Sequence, residues 1–328
     1  MQVRTLGNTD LQISAVGLGC MGLSHAFGTP LERAEAAEKV RKAFDLGYTF
    51  FDTAECYTGT NPDGTTAYNE EAVGDGIQGI RDKIVLCTKC GVRFTATGME
   101  MDSRPETIRK SLEGSLRRLK TDYIDLYYQH RVDPQVEPEV VADTMAQLIK
   151  EGIIRAWGIS AVSEEYLRRA HKVCPVSAVQ NMYNLIDRDT ESLFPTLEEL
   201  GITLVAYTPL AKGFLSGSYL ERPTFGHPED NRSGRYQFSE EGFRYYQAAL
   251  DLLRSIAQEK NATMAQIALA WMLCKKPWIV PIPGTRNVSR MEENAKASDL
   301  TLLPQEVEQI DAALDRLHLA STSSRRLH

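Results

Sequence analysis

The sequence lacks the long apolar run that a membrane-spanning helix requires. None of its 328 residues belongs to an uninterrupted apolar segment of the ~18 to 20 residues that are needed to cross a bilayer. The N-terminal stretch MQVRTLGNTD has no apolar signal core either. The sequence therefore predicts no membrane partner and favours a cytoplasmic location.

An excess of positive charge is also absent. The chain has 37 Lys and Arg residues against 44 Asp and Glu residues, which gives a net charge of -7. Proteins that bind nucleic acids instead cluster Lys and Arg to displace phosphate counterions. We therefore expect no nucleic-acid partner, and we interpret the negative charge as an aid to solubility.

Cysteine is sparse, and no metal site is predicted. The six cysteines are scattered along the chain, which is typical of free or buried thiols in a reducing compartment. Cys87 and Cys90 form a Cys-x-x-Cys pair, but a redox pair places its first cysteine at an exposed helix N-terminus. Here the pair ends a strand-like run, so a structural role is favoured.

The sequence is rich in alternation between apolar strand-like runs and segments of helical periodicity, which is typical of βαβ units. Eight such units without a linker between halves favour a closed (β/α)8 TIM barrel over a doubly wound sheet. We expect one domain over residues 1–328. The predicted strands are 15–19, 49–52, 84–89, 124–129, 153–160, 178–181, 204–208 and 278–282.

Several predicted segments lie outside the eight repeated units of the barrel. A polar hairpin is expected around residues 8–10, and two long loops, 58–67 and 212–243, follow the second and seventh strands. Extra helices are predicted over 244–260 and 303–317. Both long loops would lie on the C-terminal face of the barrel, where active sites of this architecture form.

Four polar or ionisable residues lie at or just beyond the ends of the second, third and fourth predicted strands: Asp52, Tyr57, Lys89 and His130. In a barrel they would share one mouth. A buried Lys and Asp should pair, because an isolated buried charge is too costly. The ammonium should lower the pKa of the Tyr57 phenol, which would make Tyr57 a general acid with neutral His130 as a hydrogen-bonding partner.

A phosphate site is predicted near the C-terminus, where a strand is followed by a Gly-Thr-Arg turn and a helix. Gly284 permits a close approach of the backbone and Thr285 offers a hydroxyl. The helix N-terminus favours an anion. Arg286 and Arg290 can fork onto a phosphate, which predicts NADPH rather than NADH as the source of hydride for carbonyl reduction.

The stretch AVGLGCMGLS contains a Gly-x-Gly-x-x-Gly pattern at Gly17, Gly19 and Gly22. A Rossmann dehydrogenase would start a helix at the third glycine, but Gly28 and Pro30 delay the predicted helix until about residue 31. We therefore predict that residues 17–19 end the first barrel strand. Gly19, Cys20 and Met21 would then turn across the mouth of the site and touch the nicotinamide end of the cofactor.

Several motifs together resemble the aldo-keto reductase family over nearly the whole chain. They are GYTFFDTAECY, IVLCTKCG, LKTDYIDLYYQHRVD, IKEGIIRAWGIS, AVQNMY, VAYTPLAKGFLSG and PIPGTRNVSRMEEN. The forms YYQHRVDP and IPGTRN are most similar to the bacterial and plant branch. The resemblance implies a (β/α)8 barrel, NADPH dependence, and Asp52, Tyr57, Lys89 and His130 as catalytic residues with Tyr57 as the proton donor.

The same resemblance implies a set of cofactor contacts. Ser160 and Gln180 would bind the nicotinamide carboxamide, Tyr207 would stack on the ring, and Asp52 would border it. Leu210 and Gly213 would lie along the pyrophosphate. The adenosine end would be bound by Gly284, Thr285, Arg286, Arg290, Glu293 and Asn294.

The predicted function is therefore NADPH-dependent reduction of a small aldehyde or ketone by a monomer or weak homo-oligomer. Arg131 beside His130 suggests an anionic or sugar-like substrate, although a rim salt bridge explains it equally well. An alternative from another class is a nicotinamide-binding, redox-sensing regulatory subunit with little or no turnover. Consumption of NADPH with a panel of carbonyl compounds discriminates between them.

Overall fold

The computed structural model describes residues 1–95, 98–219, 221–227, 230–318 and 320. Within these ranges, no helix is both long and apolar enough to span a bilayer. The strands are β1 (Val3–Thr5), β2 (Gln12–Ser14), β3 (Leu18–Gly19), β4 (Phe50–Asp52), β5 (Thr58–Thr60), β6 (Thr66–Tyr68), β7 (Val85–Cys90), β8 (Val92–Thr95), β9 (Gly98–Met101), β10 (Ile124–Gln129), β11 (Ile154–Ser160), β12 (Ala178–Met182), β13 (Thr203–Tyr207) and β14 (Ile279–Pro281).

The helices lie mostly between consecutive barrel strands. They are α1 (Arg33–Asp45), α2 (Asn69–Gly76), α3 (Pro105–Leu119), α4 (Pro138–Lys150), α5 (Glu164–Val173), α6 (Phe194–Leu200), α7 (Glu240–Tyr245), α8 (Gln247–Glu259), α9 (Met264–Lys275), α10 (Val288–Lys296) and α11 (Pro304–Arg316).

Eight parallel strands form a curled sheet in the order β3, β4, β7, β10, β11, β12, β13, β14. The two ends of this sheet meet, since the amide of Gly17 donates to the carbonyl of Pro281 at 3.0 Å and that of Gly19 donates to Pro283 at 3.3 Å. The sheet is therefore closed into the predicted (β/α)8 barrel. The first predicted strand is shorter than expected because this seam is bridged by single hydrogen bonds rather than by a regular ladder.

Two apolar layers cover the two faces of the barrel sheet. Leu126 and Tyr128 of β10 pack inside the barrel with Phe50 and Val85, whereas Tyr127 packs outside against the helices. All six residues of β10 are buried. Burial on both faces explains why the strands appear in the sequence as continuous apolar runs.

The N-terminal hairpin closes the bottom of the barrel. Strands β1 and β2 pair in antiparallel fashion, and Leu6, Leu11 and Ile13 join the interior apolar cluster. The amide of Gly7 donates to the hydroxyl of Thr203, the first residue of β13, at 2.7 Å. The predicted hairpin thus covers the N-terminal ends of the strands and leaves the opposite end as the mouth.

The long loops at the mouth have defined structure. The predicted 58–67 loop contains the hairpin β5–β6, and a second hairpin, β8–β9, which the sequence did not reveal, follows β7. The insertion over 212–243 returns to the segment before α1, where the amide of Asn231 donates to the carbonyl of Ala26 at 3.0 Å. The two predicted extra helices are present as α8 and α11.

The three-glycine pattern is explained by the barrel seam. A single 3-10 turn spans Met21–Leu23 and α1 begins only at Arg33, so the Rossmann reading is wrong. A Cβ atom on Gly17 would lie 2.5 Å from the Phe50 ring, and one on Gly19 would lie 2.7 Å from the carbonyl oxygen of Ile282. Among the described residues, a Cβ on Gly22 would meet only the Phe27 ring, at 3.4 Å.

We predict that Gly19→Ala lowers the free energy of unfolding by about 1 to 3 kcal/mol, because the added carbon overpacks against seam backbone that cannot rotate away. Gly22→Ala is the matched control from the same motif and should change it by no more than about 0.5 kcal/mol. Urea unfolding followed by circular dichroism measures both. Equal losses in the two variants would contradict the seam explanation.

Candidate active site

A buried ion pair joins the C-terminal ends of three barrel strands. Lys89 in β7 is completely buried, and its Nζ donates to Asp52 Oδ1 at 2.6 Å and to the Thr53 carbonyl at 2.8 Å. The other oxygen of Asp52 accepts from Gln180 Nε2 of β12 at 2.7 Å. The carboxylate is thus fixed at both oxygens, and the pairing predicted between Lys89 and Asp52 is confirmed.

Tyr57 lies at the open side of this ion pair. Its hydroxyl oxygen is 3.3 Å from Lys89 Nζ, and the ammonium lies 4.9 Å from the centre of its ring. A tight turn after β4 places the residue there, in which the Tyr57 amide donates to the carbonyl of Ala54 at 3.1 Å. The structure therefore brings Asp52, Lys89 and Tyr57 into one hydrogen-bonded chain.

The protonation states follow from burial and from the ion pair. Burial disfavours the ammonium of Lys89, but Asp52 and Tyr57 outweigh it and raise the pKa of Lys89. For Tyr57, burial raises the pKa to about 12 and outweighs the opposing effect of Lys89. The predicted lowering of this pKa is wrong, because desolvation of a phenolate costs more here than the neighbouring ammonium returns.

His130 completes the group from the next strand along the sheet. Its amide continues the β10 ladder by donating to the carbonyl of Cys90 at 2.9 Å, and its ring packs edge-on against Tyr57 with ring centres 5.6 Å apart. Burial, followed by the charges of Lys89 and Arg131, holds the pKa of His130 well below its usual value. The ring is therefore neutral, as predicted.

An aromatic stack that the sequence did not reveal forms one wall of the mouth. The ring of His25 stacks with Tyr57 at 5.9 Å and with Phe94 of hairpin β8–β9 at 5.5 Å between ring centres. His25 Nδ1 lies 2.6 Å from the carbonyl of Thr58. Because Phe94 is half exposed, this stack extends from Tyr57 to the solvent.

The residues assigned to the nicotinamide lie in three neighbouring barrel strands, and one of them contacts the ion pair. Ser160 ends β11, Tyr207 ends β13, and Gln180 lies between them in β12. In this structure Gln180 is bonded to Asp52, and the Ser160 hydroxyl accepts from Arg131 Nη1 at 2.9 Å. The guanidinium of Arg131 also lies over the Tyr207 ring, at 6.0 Å. The interaction of Arg131 with Ser160 was not predicted.

A second group of residues collects positive charge where the phosphate site was predicted. Arg286 donates to the carbonyls of Gly22 and Thr29, but its buried Nη2 has no hydrogen-bond partner within the described residues. Burial, then the nearby cation of Arg232, lowers the pKa of Arg286. Burial and Arg235 likewise lower the pKa of Lys212 to about 8. Such desolvated cations fit an anionic ligand.

The remaining predicted residues come from the end of β3 and the turn after it, from the segments that follow β13 and β14, and from α10. Leu210 and Gly213 lie at a 3-10 segment (Ala211–Ser216) in which Lys212 and Gly213 have positive φ angles of 62° and 91°. Arg290 is exposed on α10 and donates to the Ser218 hydroxyl at 3.2 Å. The others are Gly19 at the end of β3 with Cys20 and Met21 directly after it, Gly284 and Thr285 after β14, and Glu293 and Asn294 in α10.

Asn287 caps the N-terminus of α10, and its role was missed in the sequence. Its side chain accepts from the amide of Ser289 at 2.9 Å. An Asn directly before a helical segment is a recognised cap signal, so the sequence did carry this information.

Cys87 and Cys90 are both buried and free, and burial raises the pKa of each thiol, which agrees with the structural role expected for them.

The chain is similar to known proteins over nearly its whole length. Residues 15–315 match the model of the aldo/keto reductase family. A probable aldo-keto reductase 1 from Glycine max is 35% identical over 314 residues, covering 94% of this chain and 88% of that protein.

Two solved structures share the fold over nearly their full length. A glycerol dehydrogenase, AKR11B4 from Gluconobacter oxydans, superposes with a TM-score of 0.84 at 28% identity and covers 96% of this chain and 95% of its own. The aldo-keto reductase AKR11C1 from Bacillus halodurans, in its holo form, gives a TM-score of 0.78 at 27% identity, with 95% and 96% covered. The chain therefore belongs to the aldo/keto reductase family of oxidoreductases, which act on small carbonyl compounds.

Proposed function

We propose that the protein is an NADPH-dependent reductase that converts an aldehyde or ketone to an alcohol, with Tyr57 as the proton donor. The observation that carries this proposal is the contact between the Tyr57 hydroxyl and the buried ammonium of Lys89, 3.3 Å apart. A donor that protonates a substrate oxygen becomes negatively charged, and a cation fixed beside it stabilises that charge.

Each member of the ion pair has a separate task in the proposal. Lys89 stabilises the phenolate that forms when Tyr57 gives up its proton. Asp52 keeps Lys89 charged and in place, since an unpaired buried ammonium would lose its proton. Gln180 holds the second oxygen of Asp52 at 2.7 Å, so the carboxylate cannot rotate away from Lys89.

His130 orients the substrate. Because the ring is neutral, one of its nitrogens carries a hydrogen and can donate a hydrogen bond to a carbonyl oxygen near Tyr57. The proton that is transferred to this oxygen still comes from Tyr57. The His25–Phe94 stack lines the approach on one side. We expect substrates whose carbonyl group reaches Tyr57 past this aromatic wall.

The cofactor is proposed from the composition of the second group of residues. When bound, reduced nicotinamide supplies hydride to the carbonyl carbon. The Nη2 of Arg286, which has no hydrogen-bond partner among the residues that the structure describes, and the cations Lys212 and Arg290 would hold phosphate groups. Ser160, Gln180 and Tyr207 would contact the nicotinamide. Arg286 and Arg290 at α10 favour a cofactor with a 2′-phosphate over one without it.

We expect Tyr57→Phe to lower kcat by about 10²- to 10⁴-fold, because the variant keeps the ring but lacks the transferable proton. The Kd for NADPH should change little. Steady-state consumption of NADPH with a panel of aldehydes and ketones gives kcat, and fluorescence titration gives Kd. A variant that keeps more than about a tenth of the wild-type kcat would refute the proton-donor role.

Wild-type protein that binds NADPH but turns over no carbonyl compound would contradict the reductase proposal itself. That result would favour the regulatory alternative, in which the bound nicotinamide is sensed rather than consumed.

The raised pKa of Tyr57 predicts opposite pH dependences in the two directions. With a pKa of about 12, the phenol stays protonated at neutral pH, so carbonyl reduction should not decline through loss of this proton below about pH 10. Alcohol oxidation needs the phenolate as base and should rise about tenfold for each pH unit. Rates of both reactions between pH 6 and 10 test this, and a decline in reduction near pH 7 would contradict it.

Arg290→Ala should raise the Kd for NADPH by roughly 10- to 100-fold, since one charge-assisted hydrogen bond to the 2′-phosphate is lost. The Kd for NADH should stay within about twofold. Arg254→Ala removes an arginine from α8, where its partner is Asp251, and it serves as the matched control. Parallel losses for both cofactors would show that Arg290 does not read the 2′-phosphate.

A further inference from the structure

The thiol of Cys56 contacts the ring of His130 at the Nδ1 atom. Cys56 precedes Tyr57 in the turn after β4 and is 7% exposed, and its Sγ lies 3.4 Å from His130 Nδ1. Around it, Ala54 and Val92 form a small apolar cluster. These neighbours would pack equally well against an apolar side chain. The hydrogen bond with His130 is therefore the contact that a thiol makes at this position and an apolar side chain cannot make.

The direction of this hydrogen bond follows from the chemistry of the two groups. A thiol sulfur is a poor acceptor, whereas the unprotonated nitrogen of a neutral imidazole is a good one. Burial raises the pKa of the Cys56 thiol to about 12, so the thiol has a hydrogen to donate. We assign the bond as Sγ–H donating to Nδ1.

A donor at Nδ1 determines where the single hydrogen of the neutral ring lies. With Nδ1 occupied as an acceptor, the hydrogen is on Nε2. Within the described part of the chain, no side chain or backbone group forms a hydrogen bond with His130 Nε2. The ring therefore directs an unused N–H donor away from Cys56.

We propose that Cys56 is a positioning residue that holds His130 in the Nε2–H tautomer, so that this ring donates to the carbonyl oxygen of the substrate. The inference rests on the proposed reductase function for its catalytic consequence. The tautomer of His130 can be measured whether or not the protein turns over a substrate.

Three substitutions separate hydrogen bonding from packing. Cys56→Ser keeps a hydrogen donor and should retain kcat within about threefold. Cys56→Val fills the apolar cluster without a donor, and Cys56→Ala leaves it underfilled; both should lower kcat about tenfold, the equivalent of one hydrogen bond. The Kd for NADPH should stay unchanged in all three. If the residue acted by packing alone, Val rather than Ser would keep the activity.

The tautomer is measured directly by ¹⁵N NMR of histidine-labelled protein without cofactor, with His130→Gln used to assign the signals. We expect the Nε2–H form in wild type and Cys56→Ser, and a mixture of tautomers or the Nδ1–H form in Cys56→Val. An Nδ1–H ring in the wild type, or full activity of Cys56→Val, would overturn the proposal. If the wild type showed no turnover, the reductase function would fail while the NMR result still decided the tautomer.

Discussion

The site depends on one lysine that has no contact with solvent. A fully buried ammonium is tolerated only when a charged partner and further acceptors surround it, and Lys89 meets this condition through Asp52, the Thr53 carbonyl and Tyr57. These partners come from the end of β4 and the turn that follows it. The barrel must therefore hold β4, β7 and β12 in register for the lysine to remain charged, which links the fold directly to the chemistry of Tyr57.

Much of this arrangement could be predicted from the sequence because parallel strands impose it. A residue at the end of a buried apolar run in a barrel emerges at the mouth, so the sequence alone predicts that Asp52, Lys89 and His130 lie together. The eight strands were recognisable for the same reason, since burial on both faces leaves a continuous apolar run. The position of Arg286 followed from a local strand–turn–helix pattern, whereas the cations of Lys212 and Arg232 come from the distant insertion after β13 and did not.

The parts that could not be predicted depend on distances that no local pattern encodes. Desolvation raises the pKa of Tyr57 and the nearby ammonium of Lys89 lowers it. The spacing of residues in the sequence indicates only the effect of Lys89, and it does not show which of the two effects is larger. The His25–Phe94 stack joins a turn after β3 to a hairpin after β7, so neither segment alone indicates it. The glycine pattern was misleading in isolation because a close approach of two strands and a close approach to a phosphate both require the absence of a side chain.

The barrel seam can form only after the last barrel strand has been synthesised. Arg286 bonds to the backbone of Gly22, which lies 264 positions earlier in the chain, and the first strand meets the last across the same seam. During synthesis, the edge of β3 therefore has no partner until almost the whole chain has been made, and contacts of such long sequence separation form slowly. The nascent chain must keep that open strand edge from pairing with other chains. Strand β3 is only two residues long, so it offers few backbone groups for such pairing.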